Sequence, residues 1–232
     1  MNDRDTITRL TEARTALDAA RDDKRALGHV GRTRLEACLG HLDTVLRGVD
    51  VMLSQCANGA LKLAEDADAA ELVQLAHEFE RTVRATTTLC KPARTALRTA
   101  HSAAWTAHST REPEPGRFGL MVGENVVTAL DQAALLLSYG GRPVTTAAAQ
   151  PEVVAVLWQI TERTAELLGR CADATHELAS NSTTTDAAQA HRATNRAIAI
   201  AFSHTVALRR ALDRVHPLAS DLDELAARTR RS

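Results

Sequence analysis

Residues 42–63 read LDTVLRGVDVMLSQCANGALKL, and this stretch decides the fold. Apolar residues recur in it every seven positions, at Leu42, Val49, Cys56 and Leu63. Two neighbouring lines widen the stripe: Cys38, Val45, Met52 and Gly59, and Leu39, Leu46, Leu53 and Ala60. A repeat near 3.5 residues with a broad apolar face is typical of a helix that packs against two neighbours at shallow angles. The stretch therefore predicts a helical bundle.

The composition of the whole chain favours the same class. Only 3% of the residues are aromatic, and the chain has just 11 glycines and 6 prolines to interrupt long runs of Ala, Leu, Arg, Glu and Thr. Such runs form helices more readily than strands. We therefore predict an all-α, elongated bundle with six helical segments, at residues 4–27, 32–64, 68–110, 119–139, 149–179 and 185–230. Pro92 should kink the third segment, and Pro217 should kink or restart the last one.

The chain also resembles itself at an offset of 115 residues. Residues 42–101 match residues 157–216 at 12 of 60 positions without a gap, among them Cys56 with Cys171 and Arg94 with Arg209. The order short, long, long helix occurs twice at the same offset. We therefore predict an internal duplication into two tandem three-helix units, 1–115 and 116–232. The apolar segment 119–139 should join the two units into one body.

Charge and cysteine content limit the classes of partner and the compartment. The formal net charge is −1, so the chain has no general attraction for nucleic acid or for an anionic membrane, and we expect neither partner. Lysine occurs only at positions 24, 62 and 91, and this preference for Arg, with the high Ala content, indicates a GC-rich bacterial genome. The four cysteines lack metal-ligand spacing, and the polar start MNDRDTITRL is unlike a signal peptide. A cytoplasmic protein with buried thiols is expected.

The third segment carries the residues that we expect to contact a partner. His101, Trp105 and His108 follow one face of a helix, and Tyr139 ends the central apolar segment. The two histidines are about 10 Å apart along the helix axis, too far to share one metal ion. The sequence has no Glu-x-x-His pair of the kind that di-iron bundles use, so we expect no metal and no cofactor. Trp105 is interpreted as a contact residue, or alternatively as a cap of the bundle core.

A second candidate residue is His29, in LGHVGRTRLEACLGHL at residues 27–42. Its histidine, the Arg32-Thr33 pair and the downstream Gly40 resemble the phosphoacceptor box of sensor histidine kinases. The resemblance covers about a dozen residues and implies phosphorylation of His29. The chain departs from the pattern at Val30, where that family has an acidic residue, and at Arg34, where it has proline.

These observations favour a non-enzymatic interaction or scaffold module that binds another protein or itself, as a homodimer. Two alternatives stay open. One is a phosphotransfer bundle that uses His29. The other is a small-molecule-binding bundle or enzyme whose site lies between the two units, around a polar position at His204 on the predicted apolar stripe of the last helix.

Overall fold

A computed structural model describes residues 3–22, 32–109, 118–138, 144 and 146–230, the side chains of 32–34, 108 and 118–124 excepted. Within these residues the structure is helical and contains no strand, which confirms the predicted all-α class. The helices are α1 (Asp3–Asp22), α2 (Arg32–Glu65), α3 (Ala70–Thr87), α4 (Cys90–His108), α5 (Phe118–Ser138), α6 (Gln150–Asn181) and α7 (Thr185–Thr229). A single 3₁₀ turn, Ala147–Ala149, precedes α6.

The two prolines in helical segments have different effects. The third predicted segment is divided, because α3 ends at Thr87 and α4 begins at Cys90. Pro92 lies in the first turn of α4, where a missing backbone N–H costs no hydrogen bond within the helix. Helix α7 continues through Pro217 instead of restarting there. Where a kink near Pro92 was predicted, the chain divides into two helices, and of the kink or restart predicted at Pro217 the restart does not occur.

Helix α2 packs against more helices than its neighbours do, since it contacts α3, α4, α5 and α6. The predicted apolar stripe is the reason: Leu42, Val49 and Cys56 have no exposed surface, and Met52 is 1% exposed. Burying each large aliphatic side chain contributes about 1.5–3 kcal/mol. The hydrophobic period of residues 42–63 therefore places α2 in the middle of the bundle.

Helix α1 packs against α5 and α6 rather than against α2, the next helix in the chain. Helix α5 in turn packs against α1 and α2, and α7 packs along α6, α4 and α3. These contacts join helices that precede residue 115 to helices that follow it, and residue 115 is the position at which we predicted the first unit to end. The segment 119–139, predicted to join the units, corresponds to α5, and Leu135 of this helix is 53% exposed.

Charged side chains join α1 to α6. The Arg163 Nε atom lies 2.7 Å from Asp18 Oδ1, and Arg14 Nη1 donates to Gln159 Oε1 at 3.0 Å. Arg170 donates to the backbone carbonyl of Arg21 near the end of α1. These groups surround the narrow apolar stripe of α1, so the many charges of that helix stabilise its contact with α6.

Two glycines of α2 allow neighbouring segments to approach closely. A Cβ atom at Gly48 would collide with Cβ of Leu137 in α5, and one at Gly59 would overlap the carbonyl oxygen of Val144. The amide nitrogen of the buried Gln150 donates to that same Val144 carbonyl at 3.0 Å. The start of α6 is thus held against α2 where α2 has no side chain.

We predict that Gly48→Ala destabilises the protein. Alanine adds about 1 kcal/mol of helix propensity, but overpacking against the buried Leu137 costs about 1–3 kcal/mol, so a net loss is expected. The matched control is Gly169→Ala in α6, where the nearest atom to the new Cβ is a Phe202 ring carbon at 4.0 Å. That variant should gain stability in a denaturant titration followed by circular dichroism. Equal stability of the two variants would contradict the close packing of α2 and α5.

Candidate protein-contact site

Helix α4 buries one face that is rich in alanine. This face packs against α2 and α7, and small side chains let the helix axes come close together. Its buried residues are Cys90, Ala93, Ala96, Leu97, Ala100, Ala104 and Ala107. The opposite side of α4 consequently faces away from the bundle.

Ion pairs to α2 set the rotation of α4 about its own axis. Arg94 Nε lies 3.2 Å from Asp43 Oδ1, and Arg94 Nη1 lies 3.3 Å from Asp50 Oδ2. The Arg94 side chain is only 16% exposed, so solvent screens these pairs less than it screens a surface pair. Arg98 Nε adds a third contact, at 3.2 Å from Asp43 Oδ2. The register of α4 on α2 therefore decides which residues face outward.

The outward residues of α4 form what we call the α4 outer face. It consists of Lys91, Thr95, Arg98, Thr99, Ser102, Trp105 and Thr106, all of which are exposed. Trp105 is the largest of these side chains and is 57% exposed.

The hydroxyl groups of this face bond back to their own helix. Thr95 Oγ1 donates to the Lys91 carbonyl at 3.0 Å, and Thr99 Oγ1 donates to the Thr95 carbonyl at 3.1 Å. Thr106 Oγ1 donates in the same way, to the Ser102 carbonyl at 3.0 Å. Because these donors already have acceptors, covering them with a partner costs less than covering free hydroxyls. The surface around Trp105 is therefore less polar than its Ser and Thr content indicates.

The structure separates the residues that the helical spacing grouped together. His101 Nε2 lies 3.2 Å from Glu36 Oε1 of α2, and the imidazole lies beside Gly40, so His101 is directed toward α2 and is 43% exposed. Trp105 is on the outer face. His108 ends α4, and its side chain lies outside the described residues, as do Tyr139 and His29. Their proposed roles in protein contact and phosphotransfer stay predictions.

His204, which we predicted to be a polar residue on the apolar stripe of the last helix, does not lie on the buried stripe of α7. His204 is half-buried, while the buried stripe of α7 passes through Thr194, Ile198, Ala201 and Thr205. The buried histidine of this helix is His191, at 1% exposure. The sequence pattern predicts a buried stripe through His204, whereas the buried stripe passes through the next residue, Thr205. Helix α7 is covered on two sides, by α6 and by the α3–α4 pair, so one narrow stripe does not describe its buried surface.

The four cysteines are buried free thiols, as the sequence predicted. Burial raises the pKa of the Cys56 and Cys90 thiols to about 12, and it raises the pKa of Cys171 well above its ordinary value. Since the thiolate is the nucleophilic form, these groups are poorly reactive at neutral pH.

A cleft, possible metal sites and possible membrane-spanning helices concern other classes of function. An open cleft, of about 720 Å³, lies between α1 and residues 146–152 and does not include His204. In the described part of the chain, no three His, Cys, Asp or Glu side chains come together as a possible metal site. None of the described helices is both long and apolar enough to cross a membrane. No protein-family model, curated protein or solved structure matches the chain.

We predict that the native thiols resist labelling by Ellman's reagent at pH 8, because all four are buried and burial raises the pKa of Cys56, Cys90 and Cys171. All four should react once the protein is unfolded in guanidinium. The control is Ser102→Cys, which places one thiol on the α4 outer face and should add one rapidly reacting group. Rapid labelling of the wild-type protein in native buffer would show that the core opens.

Proposed function

We propose that the protein is a non-enzymatic helical interaction module of a bacterial cytoplasm, and that it binds another protein, or a second copy of itself, through the α4 outer face. The observation that carries this proposal is Trp105, whose indole is 57% exposed on a face of small side chains. An exposed indole leaves a large apolar area in water, and tryptophan is enriched among the residues that contribute most to protein interfaces.

The charge of the α4 outer face supports the same proposal. Lys91 and Arg98 are its charged residues, and the Arg98 side chain already reaches Asp43. The positions 115 residues later lie on α7 and include the exposed Arg210, Asp213, Arg214 and Asp221. A solvent-facing helix surface ordinarily carries such charges, whereas the core of a protein interface is depleted of them.

Self-association would use outer faces rather than the heptad stripe. Leu42, Val49 and Cys56 are completely buried inside the chain, so they are not available to form a coiled coil with a second copy. A dimer seam through α2 would require the bundle to open. The α4 outer face is covered by no described helix and is the more accessible surface for a second copy.

We also propose that the bundle is built from an internal duplication, with the first helix of each half packed on the second helix of the other half. Helix starts support this: α3 and α7 begin at residues 70 and 185, which are 115 residues apart. The paired contacts α1–α6 and α5–α2 support the exchange. Arg94 contacts Asp43, and its counterpart Arg209 lies over the Trp158 ring, which occupies the position equivalent to Asp43.

We predict that Trp105→Ala abolishes capture of the partner when the tagged full-length protein is used as bait in its native lysate. Truncating a central interface tryptophan costs 2 kcal/mol or more, which is a loss of affinity of about thirtyfold. Partners are identified by mass spectrometry, and light scattering of the purified protein at several concentrations reports a second copy.

The matched control is Leu135→Ala on α5, which truncates an apolar side chain of similar exposure, 53%. Both variants should keep the wild-type melting temperature, because neither side chain is in the core. A partner that is retained by Trp105→Ala, or lost equally in both variants, would contradict the proposed contact face. Recovery of monomeric bait alone in every sample would contradict the interaction function itself.

A further inference from the structure

Helix α7 carries a straight row of four outward arginines. Arg192, Arg196, Arg210 and Arg214 are all exposed. At about 100° per residue their directions fall within about 40° of one another, and the row extends about 33 Å along the helix. The row consists of two pairs, and the gap between Arg196 and Arg210 corresponds to about 21 Å. We refer to these four residues as the arginine row.

The charges of the arginine row are not neutralised within the described chain. None of the four guanidinium groups makes an ion pair with a described residue, in contrast to Arg209, which is 3.2 Å from Glu162. Residues 187–212 contain no Asp or Glu. The first acidic residue after them, Asp213, accepts a hydrogen bond from Trp158 Nε1 at 2.7 Å. The row therefore presents four positive charges to solvent that no described carboxylate pairs.

The surface between the two arginine pairs is apolar. Ala199 and Ser203 lie in the middle of the row and are small, so the helix surface is low there. Ile200 borders this region on one side and is 53% exposed, while Phe202 borders it on the other side and is 39% exposed. Exposed Ile and Phe beside small residues provide a surface into which the side chains of a second helix can pack.

We propose that the arginine row binds an acidic amphipathic helix of a partner protein. That helix would carry two pairs of carboxylates, with fourteen positions from the end of one pair to the start of the other, as between Arg196 and Arg210, and aliphatic side chains between the pairs. Charge complementarity carries the proposal, since the guanidinium group binds a carboxylate through two parallel hydrogen bonds. The apolar middle favours a protein helix over nucleic acid, because a phosphate backbone would leave Ile200 and Phe202 in water. This surface is on α7 and does not depend on the α4 outer face.

The test is a fluorescence-anisotropy titration of the full-length protein with a synthetic helical peptide. The peptide carries two Glu pairs separated as the two arginine pairs are, with leucines between them, and a second peptide has Gln in place of every Glu. We expect the Glu peptide to bind, with affinity falling as salt rises, and the Gln peptide to bind at least about tenfold more weakly.

Protein variants locate the binding surface. The double variant Arg192→Gln with Arg196→Gln should lose about tenfold in affinity for the Glu peptide. The control double variant, Arg47→Gln with Arg81→Gln, removes two exposed arginines from α2 and α3 and should bind within about twofold of wild type. Ile200→Ser should weaken binding without changing its salt dependence. Trp105→Ala should not change the affinity for the Glu peptide. The peptide titration therefore tests the arginine row separately from the α4 outer face.

Three outcomes would overturn the proposal. The first is no measurable binding of the Glu peptide at low salt. The second is an equal loss of affinity in the two double variants, which would indicate a non-specific response to total charge. The third is tighter binding of duplex DNA, or of vesicles of phosphatidylcholine and phosphatidylserine, than of the Glu peptide. Circular dichroism of each variant confirms that the helical fold is retained.

Discussion

The close contact between α2 and its neighbours at Gly48 and Gly59 is the constraint on which the rest of the bundle depends. At Gly48 the absence of a side chain lets α5 lie against α2, and at Gly59 it admits the backbone that leads into α6. Helix α1 rests on α5 and α6, so its position depends on both approaches. On another side of α2, the ion pairs of Arg94 with Asp43 and Asp50 set the rotation of α4 about its own axis. Thus the packing of one helix determines which surfaces of the others face outward.

A buried core and exposed outer faces give the molecule its proposed function. Its interior is filled by aliphatic side chains, by thiols whose pKa burial raises, and by threonines such as Thr161 and Thr164 that donate back to their own helix. The α4 outer face carries few charges and an exposed indole, whereas α7 carries the arginine row. Surfaces that differ in this way suit two different partners, or two parts of one partner.

The sequence predicted the helical class and the buried heptads of α2 well, because a long apolar period has few alternatives in a chain with so few glycines and prolines. It also predicted a kink near Pro92, where the structure divides the segment into α3 and α4. It did not predict that α1 packs on α6, since the charges of α1 read as a solvated surface until Arg163 and Gln159 are placed opposite them. The direction of His101 likewise depends on Glu36, which is remote in sequence.

Outer faces are harder to predict than cores for a physical reason. A heptad specifies which residues are buried, but it does not say whether an exposed side chain has a partner elsewhere in the chain. The arginine row shows this, because Arg209 and Arg210 are adjacent in sequence while only Arg209 reaches a carboxylate. Helical spacing and residue type indicate Trp105 as a contact residue, but its exposure depends on the Ala-rich face of α4 taking the inner side.

The central claim is that the α4 outer face meets another polypeptide in the cell. The most direct measurement is photo-cross-linking in living cells, with benzoylphenylalanine replacing Thr99 on that face or Ala19 on the exposed side of α1. One discrete cross-linked product is expected from position 99 and none from position 19. The same products from both positions, or none from position 99, would contradict it.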